Sequence, residues 1–253
     1  MDLLLVSVLG ALWGSFANVC IYRLPLRGGV VKGRSFCPKC KKKIFWYENI
    51  PILSYLILGG KCSKCKKKIS FQYLLVESIS IFSFLLIYYF FGVSLTTILL
   101  IILFLSFIVI FFIDLKHYII PDILTFPMMV LGFLKSFDPN LNPLFPNYIN
   151  SLLGGIIGYG IIWLLILFYK KIRNKEGMGL GDAKILAVVG FWFGWVSIPF
   201  VIFLSSTIAL IVVIPDLLKK KKKLTSQIPF GPYIIIATII FIVFKDTFLS
   251  LFL

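Results

Sequence analysis

Acidic residues are scarce in this chain of 253 residues: ten Asp and Glu stand against 26 Lys and Arg, and charged residues of both signs make up only 14%. Hydrophobic residues make up 60%, and the mean hydropathy is +1.01. A soluble domain carries roughly 25% charged residues, so this composition excludes an ordinary water-soluble protein. The single histidine, His117, leaves no basis for serine-triad or histidine-based zinc chemistry.

Long uncharged segments predict membrane spans, because a span needs about 20 apolar residues. The first segment lacks a basic leader region and continues to Tyr22, which favours a retained helix over a cleavable signal peptide. Segments 119–134 and 183–218 are interrupted by proline or a tight turn, so we expect short helices lining a polar cavity there. The expected fold is an all-α polytopic membrane protein with about eight transmembrane helices, at 2–22, 72–91, 94–113, 119–134, 149–169, 183–198, 199–218 and 231–252.

Basic residues concentrate in every second gap between the apolar segments. The loop 23–71 holds 13 of them, and placing it in the cytoplasm puts 24 of the 26 inside and leaves only Lys135 and Lys245 outside. This pattern follows the positive-inside rule and predicts that both termini lie outside. It also explains the net charge of +16 without a nucleic-acid partner, since no soluble module remains to dock on a duplex.

Four cysteines form two C-x-x-C pairs in the loop 23–71. Cys37 and Cys40 make the first pair, and Cys62 and Cys65 make the second. Four thiolates at this spacing are typical of a tetrahedral structural Zn²⁺ site, and a cytoplasmic position disfavours disulfides. A reduced loop without metal is the alternative. The fifth cysteine, Cys20, is expected to pack as an apolar residue.

Two aspartates are predicted to meet at one membrane depth. Asp114 ends the third span after a long uncharged run, and Asp182 opens the sixth span in the sequence Gly179-Leu180-Gly181-Asp182. Ionisable groups at membrane depth usually mark a functional site. Two carboxylates can share a proton, so that one activates water while the other donates to a scissile carbonyl. The preceding glycines would let a substrate backbone approach closely.

The alternative is a structural role for these acids. Asp182 would then cap a helix, and Asp114 would pair with Lys116 or Lys184. Asp122 competes with Asp114 for the first catalytic position, but it follows Pro121, which suits the first turn of a helix.

The chain resembles a known family, the bacterial type IV prepilin peptidases, which belong to the GxGD aspartic proteases. The resemblance runs in order along nearly the whole chain. It rests on Gly14 to Val19 with Arg23-Leu24-Pro25, both cysteine pairs, Glu48 to Pro51 with Ser54, Gly60 and Lys61, Ile69 and Ser70 with Tyr73 and Glu77, Asp114 and Leu115, Ile120 to Asp122, Gly179 to Lys184, and Ile228 to Pro232.

The resemblance implies a bifunctional enzyme of the bacterial inner membrane. Such enzymes cut the short basic leader from type IV prepilins or pseudopilins at the cytoplasmic face, and then methylate the new N-terminus with S-adenosylmethionine. It implies catalytic roles for Asp114 and Asp182. It also implies three regions: a first helix at 1–22, a zinc-binding and methyltransferase region at 23–71, and an aspartic peptidase domain at 72–253. No glycine fingerprint independently indicates S-adenosylmethionine binding.

Two other functions fit parts of the pattern. Paired intramembrane acids also suit a transporter or ion pathway, although no repeated half or matched pair of broken helices is evident. The cysteine loop would equally suit a zinc-stabilised scaffold of a secretion system.

Overall fold

The computed structural model describes residues 2–26, 29–30, 35–141, 145–173, 178–218 and 227–252. Within these ranges the chain forms α-helices and short 3-10 turns, with two isolated β-bridges in the cysteine loop, which confirms the all-α prediction. The lysine run 219–223 and Lys175, which entered the topology argument, lie outside the described residues. The helices are α1 (Leu3–Arg23), α2 (Leu53–Ile57), α3 (Gln72–Phe91), α4 (Leu95–His117), α5 (Asp122–Leu134), α6 (Tyr148–Arg173), α7 (Leu180–Phe193), α8 (Ser197–Leu218) and α9 (Gly231–Phe252).

Five helical segments are long and apolar enough to cross a membrane, so the chain is an integral membrane protein. They are Leu3–Leu26, Gln72–Phe91, Leu95–His117, Tyr148–Ile172 and Ser197–Pro215, and α9 adds a shorter apolar segment at Gly231–Lys245. The helices α5 and α7 have only 13 and 14 residues. At 1.5 Å per residue each covers about 20 Å of a hydrocarbon core of about 30 Å. Segment 119–134 gives the short helix α5 as expected, whereas segment 183–218 gives one short helix, α7, and one long helix, α8, of 22 residues.

The chain divides within α4 into two compact units, Met1–Val109 and Ile110–Leu253. In the first unit α1 and α3 pack along their length, because glycines on α1 bring the two backbones close together. A methyl group added at Gly10 would lie 2.8 Å from the Cα of Ile81, and one added at Gly14 would lie 2.9 Å from the Cα of Glu77.

The second unit is built around α7, which contacts α5, α6, α8 and α9. Ten of its fourteen residues are buried, including Trp192. Three side-chain hydrogen bonds hold its C-terminal end. Lys135 Nζ donates to the Trp192 carbonyl at 2.9 Å, Trp192 Nε1 donates to the Met128 carbonyl at 2.8 Å, and Ser151 Oγ donates to the Phe191 carbonyl at 2.7 Å. These bonds fix the helix whose other end carries Asp182.

Candidate active site and metal cluster

Asp114 lies in the last turn of α4 and is only 4% exposed. Its Oδ2 accepts a hydrogen bond from the backbone N–H of Gly231 at 3.1 Å. Gly231 is the first residue of α9, so this N–H is one of the donors that a helix leaves unpaired at its N-terminus. The positive end of the α9 dipole therefore faces the buried carboxylate and offsets part of its desolvation.

Asp182 lies in the first turn of α7 and is 8% exposed. The N-cap position belongs to Gly179, whose carbonyl accepts the backbone N–H of Asp182 at 3.2 Å, so Asp182 lies inside the helix and is not its cap. Ile185, one turn after Asp182, lies beside the same Gly231 that binds Asp114, so the first turns of α7 are near the Asp114 carboxylate. Asp182 lies at the N-terminus of α7, and the carboxylate of Asp114 faces the N-terminus of α9.

Two glycines allow the backbone approaches that bring the acids together. A methyl group at Gly231 would lie 2.8 Å from Asp114 Oδ2 and 3.0 Å from Ile185 Cδ1, one turn beyond Asp182 in α7. A methyl group at Gly181 would lie 2.8 Å from Ile120 Cδ1, in the connection that follows Asp114. Residues larger than glycine at either place would push the elements apart.

Of the two glycines that precede Asp182, only Gly179 has open space beside it, whereas Gly181 is in close contact with Ile120. The atom nearest to a methyl group added at Gly179 is a backbone nitrogen 3.9 Å away, and the residue is exposed. The expectation that these glycines leave room for a substrate therefore applies to Gly179, while Gly181 serves internal packing.

Asp122 occupies a different environment from the two buried acids. It lies in the first turn of α5, and its side chain is 54% exposed. Its Oδ1 accepts a hydrogen bond from Lys184 Nζ at 2.5 Å, which joins the start of α5 to the start of α7. The alternative that paired Lys184 with Asp114 is therefore wrong: this lysine binds the exposed acid, and Asp114 is bound by Gly231.

The arrangement of Asp114 and Asp182 suits proton exchange between two carboxyl groups. Both are buried, both adjoin helix N-termini, and the Asp114 carboxylate is bound by a backbone N–H rather than by a lysine. Two carboxylates at short range disfavour double ionisation, and a pair of that kind shares one proton between its members. That state provides one general base and one general acid without a metal.

The two cysteine pairs form matching turns in the first unit. Residues 37–44 and 62–69 are identical at seven of eight positions and form a short local repeat, which was not among the sequence predictions. The Cys37 N–H donates to the Lys42 carbonyl and the Cys62 N–H to the Lys67 carbonyl, both at 2.9 Å. The fifth residues of the repeats, Lys41 and Lys66, have φ values of 59° and 56°. The same local sequence has thus folded twice into the same turn.

The four sulfurs converge at a spacing that fits a metal ion. All lie within 4.8 Å of one another, and the pairs Cys37–Cys65 and Cys40–Cys62 are 3.9 Å apart. A disulfide requires about 2.05 Å, whereas a tetrahedral zinc with bonds of about 2.3 Å requires sulfurs about 3.8 Å apart. Backbone N–H groups of Cys65 and Lys64 point at the Cys62 thiol and lower its pKa to about 6. The cluster can therefore bind a metal ion.

Lys42 joins the two turns. Its Nζ donates to Glu48 Oε1 at 2.8 Å and to Ser63 Oγ at 2.7 Å, and Ser63 lies inside the second cysteine pair. The bond from Lys42, together with the hydroxyl of Ser63 and the N–H of Phe45, lowers the pKa of Glu48 to about 2. Glu48 is therefore ionised at neutral pH and holds Lys42 in place.

A buried carboxylate also ties the cysteine loop to the helices of the first unit. Glu77 in α3 is 7% exposed, and its Oε2 accepts the backbone N–H of Ile52 at 2.7 Å. Ile52 has a φ of 60°, which a β-branched residue rarely adopts, so the bond holds a strained backbone.

Neither Gly231 nor Glu77 was predicted to belong to these sites. Both residues appeared only among the positions that carry the family resemblance. The sequence gives little indication of either role. A glycine close to two prolines is typical of many turns, and a single glutamate within a predicted span does not indicate which residue it binds. Only the contacts with Asp114 and Ile52 show what these residues do.

These features define the class of protein: a polytopic integral membrane protein with a buried carboxylate pair and a four-cysteine metal cluster. Residues 8–91 match the bacterial peptidase A24 N-terminal domain, and residues 99–214 match the type IV leader peptidase family. No solved structure gives a significant match to the chain.

Several relatives share the name prepilin leader peptidase/N-methyltransferase. The one from Neisseria gonorrhoeae is 37% identical over 252 residues, covering 90% of this chain and 85% of that protein. The one from Pseudomonas aeruginosa is 34% identical over 262 residues, covering 94% and 89%. The one from Xanthomonas campestris is 36% identical over 252 residues, covering 90% and 86%. The chain belongs to the type IV leader peptidase family, which confirms the resemblance read from its motifs.

Proposed function

We propose that this protein is a prepilin leader peptidase and N-methyltransferase, which cleaves the leader of type IV prepilins or pseudopilins and methylates the new N-terminus. The relatives that carry this name are similar over nearly their whole length. The observation that carries the peptidase assignment is the burial of both Asp114 and Asp182, with Gly231 bound to Asp114 and lying beside Ile185, one turn after Asp182. The transporter and scaffold alternatives find no comparable support.

In the proposed mechanism Asp114 is the general base. The N–H of Gly231 donates to its Oδ2, and a donor at that oxygen favours the ionised carboxylate while Oδ1 stays available for water. Asp182 then holds the shared proton and donates it to the carbonyl oxygen of the scissile bond. The exposed space at Gly179, three residues before Asp182, is where the substrate backbone would approach. In the resulting diol the C–N bond breaks as Asp114 gives the proton taken from water to the leaving nitrogen, while one diol hydroxyl returns its proton to Asp182.

We place the reaction at the cytoplasmic face of the bacterial inner membrane. Asp114 lies in the last turn of α4, which also carries Lys116, and Asp182 lies in the first turn of α7, which follows the end of α6 that carries Lys170, Lys171 and Arg173. The split of 24 basic residues against two supports this orientation.

Zinc is the metal that best suits the cysteine cluster. Four thiolates and a tetrahedral spacing favour Zn²⁺, and a closed set of four ligands is typical of a structural site. Cys37, Cys40, Cys62 and Cys65 would hold it, and it would brace the loop 23–71, the region to which we assign methyl transfer.

S-adenosylmethionine would supply the methyl group. Neither cavity seen in the described residues suits it: a groove of about 580 Å³ on α6 is lined by apolar side chains and Lys171, and a cavity of about 150 Å³ near Trp195 is too small. No step of methyl transfer is therefore assigned to particular residues.

The decisive experiment replaces each acid by its amide. Asp114→Asn and Asp182→Asn should each abolish cleavage of a purified prepilin in detergent, with unchanged folding. Asp122→Asn is the matched control, because it removes an exposed carboxylate and costs only about 1 kcal/mol. Near-wild-type cleavage by Asp182→Asn would refute the pair. An inactive Asp122→Asn beside an active Asp114→Asn would transfer the first role to Asp122.

The pH dependence gives a second test. A pair that needs one proton loses activity when both acids are protonated and again when both are ionised, so the cleavage rate should be bell-shaped in pH. A rate that only rises with pH would argue for a single catalytic base.

A further inference from the structure

The cysteine loop carries a group of apolar side chains that nothing in the first unit covers. We call it the aromatic–aliphatic face and define it by Phe45, Trp46, Tyr47, Leu53, Leu56 and Ile57. Trp46 is 80% exposed and Ile57 is 83% exposed. The members are neighbours: the ring of Tyr47 lies 5.5 Å from that of Phe45 and 5.8 Å from that of Trp46, and the turn 46–49 packs against α2. Contiguous apolar surface of this kind marks an interaction site.

Positive charge surrounds this face. Between residues 35 and 71 there are nine lysines and one acid, Glu48, which is already bound by Lys42. Lysines also adjoin the aromatic rings directly, with Lys42 Nζ 5.2 Å from the centre of the Phe45 ring and Lys41 Nζ 5.6 Å from that of Phe36. The partner must therefore combine an apolar region with negative charge. A second copy of the loop carries the same positive charge and would be repelled.

The position of the loop in the chain identifies that partner. It leaves one membrane span at Leu26 and enters the next at Gln72, and these two helices pack against each other. Both ends of the loop therefore emerge at one membrane surface. Phe71, directly before α3, is itself 61% exposed. The nearest large surface with an apolar interior and anionic groups is the bilayer in which the protein already sits.

We propose that the aromatic–aliphatic face lies in the interfacial region of this bilayer, with the neighbouring lysines bound to anionic lipid headgroups. Tryptophan and tyrosine prefer this region because their rings are apolar and their polar atoms reach water. Clustered lysines next to a span attract anionic lipids, and salt screens the attraction.

The test uses the full-length protein in nanodiscs that hold a single copy. One set contains phosphatidylcholine alone, and the other contains added phosphatidylglycerol in both leaflets, so the result does not depend on orientation. Quenching of Trp46 by brominated acyl chains is measured as the difference between wild type and Trp46→Phe. Hydrogen exchange of peptide 44–58 is followed in parallel.

The expected result is quenching of Trp46 in nanodiscs and exchange slowed about tenfold relative to detergent, more strongly with anionic lipid and reversibly with salt. Trp46→Ser with Ile57→Ser should abolish the protection. Val93→Ser is the matched control, because Val93 is 76% exposed in the connection between α3 and α4, away from any lysine cluster in sequence.

Three results would overturn the proposal. Trp46 could remain unquenched by brominated lipid in both compositions. Protection could be absent from single-copy discs and appear only in discs prepared to hold two copies. Protection could also require an added protein partner. Equal quenching with and without anionic lipid would contradict the proposed binding of the lysines to anionic headgroups.

Discussion

Replacing Gly231 by alanine tests whether the α9 N-terminus positions the catalytic carboxylate. The added methyl group would lie 2.8 Å from Asp114 Oδ2, whereas ordinary contact begins at 3.4 Å. The carboxylate must therefore move by about 0.6 Å, or α9 must shift away from it. Either response lengthens the 3.1 Å bond from the Gly231 N–H. Ile185 Cδ1, at 3.0 Å from the same methyl group, blocks an escape toward α7.

The expected loss is large for so small a change. A displacement of about 1 Å in a reacting group can cost about 100-fold in rate, and a hydrogen bond to a charged group contributes about 1.5–3 kcal/mol. Together these predict a fall in kcat/KM for leader cleavage of about 10- to 100-fold or more. Overpacking costs only about 1–3 kcal/mol of stability, so the protein should still fold.

The assay is cleavage of a purified prepilin by protein in detergent, with thermal unfolding measured on the same samples. Gly160→Ala is the matched control, because a methyl group at Gly160 in α6 meets nothing within 4 Å. It should cleave like wild type. Methylation of a substrate that already lacks its leader should persist in Gly231→Ala. Cleavage within about twofold of wild type, at unchanged stability, would refute the positioning role.

The remaining predictions concern the metal, the loop and the topology. Purified protein should carry one zinc per chain, and Cys40→Ser should lower the zinc content measured by mass spectrometry; intact thiols without metal would dispose of the site. Glu77→Ala should leave the Ile52 N–H without its acceptor, cost about 1–3 kcal/mol and speed proteolysis of residues 44–58, while Glu77→Gln should retain most of the protection. Equal proteolysis of Glu77→Ala and wild type would contradict this link. A reporter fused after Lys67 should behave as cytoplasmic and one fused within 138–147 as external, and the reverse pattern would overturn the proposed orientation.

The spans could be predicted from the sequence because hydrophobicity along a helix is a local property. The predicted segments 72–91 and 231–252 coincide with α3 and α9, and the short helices α5 and α7 lie where proline and glycine interrupt the apolar runs. The four-cysteine cluster could also be predicted from the sequence, because the spacing within each C-x-x-C pair is a local property of the chain. The prominence of Asp114 and Asp182 followed from the rarity of acids at membrane depth.

Contacts between distant residues were decided by the tertiary structure alone. Gly231 lies 117 positions from Asp114, and Lys184 lies 62 positions from the acid that it binds. No periodicity or composition encodes which helix end approaches which carboxylate, because that depends on how whole helices pack. The two acids could therefore be identified from the sequence, whereas the structural alternative that paired Asp114 with Lys116 or Lys184 included Lys184, which binds Asp122. The sequence also gives no reason to separate Gly179 from Gly181, whose roles differ because Gly181 packs against Ile120.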